Sequence, residues 1–193
     1  MNLTEFQNIC PLSNIPSVLE HGILSHAEAS RCAHQSVALE DVQARRANKS
    51  VPGGQPLHQY ANVYFHARNP MMSRVRDQAA KLCVLRVSLE ILKIPGAVIT
   101  DQNAASQYVR FSMPSRLGSM NLERIFARDW RHPNDQIEEW RHSSTKCAEA
   151  LIPDRIPAQF LVGAFVFSAA AQTELEQFGF RLPIEVDPDL FFH

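Results

Sequence analysis

Residues 147–152 read Cys-Ala-Glu-Ala-Leu-Ile, which sets one carboxylate, Glu149, inside an apolar run. A charge avoids such a position unless something compensates it. One compensation is an ion pair, or a place on an edge strand. Another is a cleft, where the carboxylate accepts hydrogen bonds from hydroxyls and stabilises a developing cation. Arg45 and Arg46 adjoin a Gly/Pro-rich segment; with Arg68, Arg74 and Arg76 they could cradle a diphosphate or a nucleic-acid strand. Each of these arginines, taken alone, also reads as ordinary surface charge. Glu138 and Glu139 could form the acid pair of a glycoside hydrolase, or simply the solvated face of a polar helix. Tyr60, Tyr108 and Trp130 lie near polar loops and could stack on bases, whereas Tyr64 and Phe65 read as core.

Several chemistries lack their signatures. No GxGxxG follows a strand, no Walker lysine loop or HExxH occurs, and no GxSxG elbow is present. The eight histidines show no metal-ligand spacing, so a metal site is not expected.

These residues need elements to hold them. A helix opens at Ser13-Asn14-Ile15-Pro16 and stops at Gly22. A second helix is expected over 37–47, followed by a loop at 51–59 with two Pro and two Gly. Residues 62–67 read as a buried strand, Pro70 to about Ala80 as a helix, and 82–87 and 97–100 as strands. Helices are expected at 120–128 and 134–141, strands at 147–152 and 160–167, and a last helix at 172–178. Helices and strands mix without a βαβ rhythm. The expected class is α+β with a mostly antiparallel sheet, as one domain over 1–193.

The composition is that of a globular chain, 45% hydrophobic and 20% charged, with net charge −1. No apolar stretch approaches a membrane helix, and the start does not read as a signal peptide. Four scattered cysteines suggest free thiols and a cytoplasmic location. Only four of the 19 basic residues are lysine. That bias fits local phosphate recognition by guanidinium groups, and equally the usage of a GC-rich genome.

The ordered segments SNIPSVLEHGILSH, VQARR, LHQYANVYFHARNPMM and KCAEALIP resemble the DarT family of ADP-ribosyltransferase toxins, which modify DNA bases. The resemblance runs from about residue 6 to residue 168, and 57–72 is its most specific part. It implies an ADP-ribosyltransferase-like split, mostly antiparallel sheet with surrounding helices, and NAD as co-substrate. It implies Glu149, Arg46 and Arg45 as catalytic residues. It puts Asn8, Asn14, Leu24, Ser25, Arg46 and Tyr64 at the cofactor, under a mobile loop at about 48–58. The polar stretch before Glu149 becomes the substrate-facing loop. Arg68, Met71, Arg74, Arg76, Trp130, Arg131 and Lys146 then fall to single-stranded DNA, with RNA as the alternative substrate. An antitoxin that reverses or blocks the modification is the implied partner. Many members carry an aromatic-His pair on the first strand, where Gln7 and Asn8 stand here. That departure marks a divergent subgroup and leaves thymine and guanine both open as targets. A catalytically inactive nucleic-acid-binding module is the reading from a different class.

Overall fold

The computed structural model describes residues 2–37 and 40–193. Its strands are β1 (Phe6–Pro11), β2 (Ile23–Leu24), β3 (Tyr60–Tyr64), β4 (Leu82–Val87), β5 (Val98–Thr100), β6 (Phe111–Ser112), β7 (Glu149–Pro153), β8 (Arg155–Ile156), β9 (Leu161–Val166) and β10 (Ile184–Val186). Its helices are α1 (Ile15–His21), α2 (His26–Ala29), α3 (Glu40–Ala47), α4 (Pro70–Arg74), α5 (Leu122–Phe126), α6 (Gln136–Lys146) and α7 (Ala169–Gln177).

Eight strands form one sheet in the order β10-β9-β4-β1-β3-β7-β5-β6, and β2 pairs with β8 separately. Only β10 and β9 run parallel among the paired strands of the described residues, so the class is α+β and mostly antiparallel. The sheet has a weak seam. β1 and β4 register at six positions, and β3 and β7 at five, but β1 and β3 share only Gln7↔Tyr64. Beyond that point the two halves splay apart, which is the split in the sheet. Side chains bridge the seam instead: Asn8 Nδ2 donates to Asn62 O at 3.1 Å, and Ala67 N donates to Gln7 Oε1 at 2.7 Å.

β4 shows why Leu-Cys-Val-Leu-Arg-Val reads as a continuous apolar run. Its alternate residues point to opposite faces. Cys83, Leu85 and Val87 join one core with Phe6, Ile15, Phe65 and Leu175, while Leu82 and Val84 join a second with Ile9, Met72 and Phe191. Both faces of the strand are therefore covered.

Several expected elements differ. β1 is implied only by the resemblance and not by its own pattern, because Phe-Gln-Asn-Ile-Cys-Pro mixes amides into an apolar strand that is buried over most of its length. The helix expected over 37–47 is seen as α3 from Glu40; positions 38 and 39 lie outside the described residues. The helix from Pro70 to Ala80 breaks at Val75 (φ −110°, ψ 13°), which leaves the helix while burying its side chain, and a 3-10 stretch follows. The polar stretch before Glu149 is mostly α6, capped by Asp135 accepting from Glu138 N, not an open loop.

Gly22 ends α1 at φ +84°, where an L side chain is strained and a Cβ would overlap the carbonyl oxygen of Ile156. Gly22→Ala is expected to cost roughly 2–3 kcal/mol, read as a lower urea midpoint at unchanged slope.

Candidate active site

Glu149 opens β7 at the seam, opposite Tyr64 of β3. It is 1% exposed. Its backbone is fixed by Thr100: Glu149 N donates to Thr100 Oγ1 at 3.0 Å, and that hydroxyl donates to Glu149 O at 3.3 Å. Its carboxylate takes three contacts. One guanidinium nitrogen of Arg46 lies 3.0 Å from Oε2 and 3.2 Å from Oε1, and Ala104 N donates to Oε1 at 2.9 Å. Arg46 is itself buried, at 6% exposure. A buried charge pair with a further hydrogen bond is a compensated one.

Arg46 reaches Glu149 because α3 turns Val42, Gln43 and Arg46 to one side, at the spacing of neighbouring turns. Arg45 turns away, exposed, and pairs with Asp41 at 3.2 Å. It lies outside the site.

A cavity of about 230 Å³ opens in front of this pair. β1 and β3 supply Asn8, Cys10, Asn62 and Tyr64 across the split, and α3 supplies Gln43 and Arg46. Leu24 and His26 close one side and Ser36 and Val37 another. Asn14 lines the wall but uses its amide to hold the loop: Nδ2 donates to Gln35 O at 2.7 Å, and Gln35 N donates to Oδ1 at 2.9 Å. The Oε1 atom of Gln43 is buried with no hydrogen-bond partner among the described residues. His58 stacks on His26 with ring centroids 4.1 Å apart, and burial, then His26 and Arg46, lower its pKa. Burial and the adjacent Glu149 raise the Tyr64 phenol well above its usual value, so it stays protonated. Burial and Glu149 push the Cys147 thiol up to about 12, which removes it as a nucleophile at neutral pH.

Of the residues expected at the cofactor, Asn8, Asn14, Leu24, Arg46 and Tyr64 line the cavity together with Glu149. Ser25 does not: it is fully buried and caps α2 by accepting from Glu28 N. The loop at 48–58 contributes no lining residue. It packs instead on the segment after β5, where Lys49 Nζ donates to Ser106 O and Val51 and Leu57 are buried. The wall over the cavity is the stretch around Gln35.

The residues assigned to nucleic acid divide. Met71 lines the cavity, and Arg74 and Arg76 are exposed on and just after α4. Arg68 is a strut, donating to Asp189 O and Arg128 O with its guanidinium 4.3 Å over the Phe192 ring. Trp130 packs edge-on to Phe192, and Arg131 chelates its neighbour Asp129. Lys146 is fully buried and donates to Ala127 O at 2.6 Å; burial, then Arg68, lower it to about 8. Glu138 is tied to Arg124 at 2.6 Å and Glu139 accepts from His132 N, so they form no acid pair at a cleft.

Sequence reasoning missed Gln43, Asn62, Asn103 and the Ala104 amide. A backbone donor carries no side-chain signal, and only the Asn in Asp-Gln-Asn-Ala marks that loop as a turn.

A family model described as "ssDNA thymidine ADP-ribosyltransferase, DarT" matches residues 8–192. A curated DNA ADP-ribosyl transferase–DNA ADP-ribosyl glycohydrolase fusion protein from Thermosipho africanus is 29% identical over 199 residues, 97% of this chain. The chain spans about half of that protein, 49%. The structure of Thermosipho africanus DarTG with ADP-ribose superposes with a TM-score of 0.84 at 28% identity, covering 98% of this chain and 51% of that one. Thermus sp. 2.9 DarT with ADP-ribosylated ssDNA gives 0.83 at 23% identity, covering 97% and 96% of the two chains, a likeness of fold.

Proposed function

The chain belongs to the DarT family, and from that premise we propose that it transfers ADP-ribose from NAD to a base of single-stranded DNA, thymine first, with Glu149 as the catalytic carboxylate. The carrying observation is the carboxylate itself: buried, fixed by Arg46 and the Ala104 amide, and facing a cavity that opens at the seam of the sheet.

The cavity fits a dinucleotide in its chemistry. It combines amides that donate and accept (Asn8, Gln43, Asn62) with the apolar and aromatic faces of Leu24 and Tyr64. The unpartnered Gln43 oxygen is a buried acceptor that a ribose hydroxyl would satisfy. NAD supplies an N-glycosidic bond whose cleavage leaves electron demand on the ribose carbon. Glu149 stabilises that positive charge. As nicotinamide leaves with the bonding electrons, a ring nitrogen of the base bonds to the same carbon, and Glu149 accepts the proton that this nitrogen gives up. Arg46 acts as a positioning residue, keeping the carboxylate aimed. Arg74 and Arg76 supply exposed charge for phosphates. An unstacked base is required at the carboxylate, which favours a single strand over a duplex.

The Thermosipho relative's name joins a transferase to a glycohydrolase. On that pattern the proposed role is the toxin of a pair, and the proposed partner removes ADP-ribose from DNA. The four free cysteines suit a cytoplasmic setting. No helix among the described residues is long and apolar enough to cross a membrane.

Incubation with NAD and four homogeneous-base oligonucleotides, read by mass spectrometry, tests the reading. An ADP-ribose adduct on the thymine strand is expected. Adducts confined to RNA versions of the strands, or none at all, overturn it. Asn14→Ala supplies a further check. It releases the Gln35 segment from two hydrogen bonds that are exposed, so the fold loses under ~1 kcal/mol. NAD affinity, measured by calorimetry, is expected to fall about ten-fold because that wall must then be ordered on binding.

A further inference from the structure

Two exposed rings stand on segments that meet at Asn103, the residue before the Ala104 amide that donates to Glu149: Tyr108 is 80% exposed and Trp140 is 65% exposed. Tyr108 follows Ala104, the residue whose amide donates to the carboxylate, by four positions. Four residues span at most about 14 Å. This stretch is folded rather than extended, with Ser106 N donating to Asn103 O at 2.8 Å and Val109 N to Ser106 O at 3.4 Å. Trp140 lies one helical turn before Ser144, whose carbonyl accepts from Asn103 N at 2.9 Å. α6 thus meets Asn103 one helical turn beyond Trp140, while Glu138, two residues before Trp140, is tied to Arg124.

The other rings near polar loops are occupied. Tyr60 is buried with its hydroxyl accepting from Gln55 N, and Trp130 packs on Phe192. Exposed cations lie close to both rings along the chain, Arg110 two residues after Tyr108 and Arg141 next to Trp140.

We propose that Tyr108 and Trp140 are stacking platforms for the nucleotides that flank the target base. This rests on the reading of the chain as a single-strand ADP-ribosyltransferase and deepens it by naming where the strand is gripped. Single rings set among cations suit a strand, since each ring takes one base face and each cation one phosphate. Ile137, one turn before Trp140, is exposed as well, but these few side chains on separate segments fall short of the contiguous apolar patch a stable protein interface wants.

The test uses the Glu149→Gln protein, which holds a short single strand without turning it over. Tyr108→Ala and Trp140→Ala are each expected to weaken strand binding, read by fluorescence anisotropy, about ten-fold or more. Phenylalanine at either position is expected to restore affinity. NAD affinity and melting temperature should not move. Strands with abasic sites flanking the target should bind the parent as weakly as intact strands bind the double alanine variant. Alanine variants that bind as tightly as the parent, while Glu149-intact protein still modifies DNA, overturn the platforms and leave the enzymatic reading standing. Alanine variants that lose self-association instead of strand binding also overturn them. Intact protein that modifies no strand fails the enzymatic reading, and the platforms with it.

Discussion

Glu149→Gln is expected to slow ADP-ribose transfer about a thousand-fold or more while the protein stays folded. Glutamine keeps the shape of the side chain. Its amide oxygen in the Oε1 position still accepts from Ala104 N and from Arg46, its NH2 group replaces the second acceptor facing Arg46, and the two Thr100 bonds involve only the backbone of residue 149. On the proposed mechanism, what disappears is the negative charge beside the reacting carbon and the site that receives the proton. Loss of a general base alone typically costs 10²–10⁴ in rate, and loss of charge stabilisation adds to it. The substitution also leaves Arg46 buried without a counter-charge, so the melting temperature should drop by a few degrees without loss of cooperativity. Mass spectrometry of the oligonucleotide gives the rate and circular dichroism gives the melt. A variant within ten-fold of the parent rate would remove Glu149 from the chemistry.

Arg46→Ala carries the second large effect, on stability as well as rate. The guanidinium is the cation in contact with a carboxylate that is almost wholly buried. Removing one partner of such a pair is expected to cost about 3–5 kcal/mol. Without the guanidinium the carboxylate also loses the contact that aims it, so transfer should fall at least about a hundred-fold. Arg45→Ala, one residue away, removes an exposed pair with Asp41 and should change stability by less than ~0.5 kcal/mol. Urea unfolding of both variants alongside their transfer rates provides the comparison. Matching behaviour would show that the buried contact does not position the carboxylate.

Glu149 was legible in the sequence because it breaks an apolar strand, and a charge there demands a physical reason. Its partner was legible only as one of two adjacent arginines. Which of them turns inward depends on how α3 lies against strands a hundred residues away, and no local pattern encodes that. The strands β4 and β7 were readable from their apolar runs, which arise from burial on both faces, and β9 from its run despite the exposed Val162. β1 was not, because Gln7 and Asn8 sit in it to bridge the seam, and amides in a short strand look like a loop. Lys146 and Arg68 looked like phosphate ligands by type. Their actual partners are carbonyl oxygens of Ala127, Arg128 and Asp189, contacts that leave no mark in a sequence. The distinction between Trp130 and Trp140 was likewise invisible: one ring is claimed by Phe192, ten residues apart from one that is not.

The lone register pair between β1 and β3 bears on how the molecule comes apart. Two well-laddered half-sheets joined at one rung should behave as partly separate cooperative units, with amides of β7 and of β4 exchanging with solvent at different opening energies. On the proposed function, a nucleotide lodged between them would touch both, and so act as a missing rung. Its binding free energy is then spent on holding the halves together, and protection should rise most in whichever half is the looser.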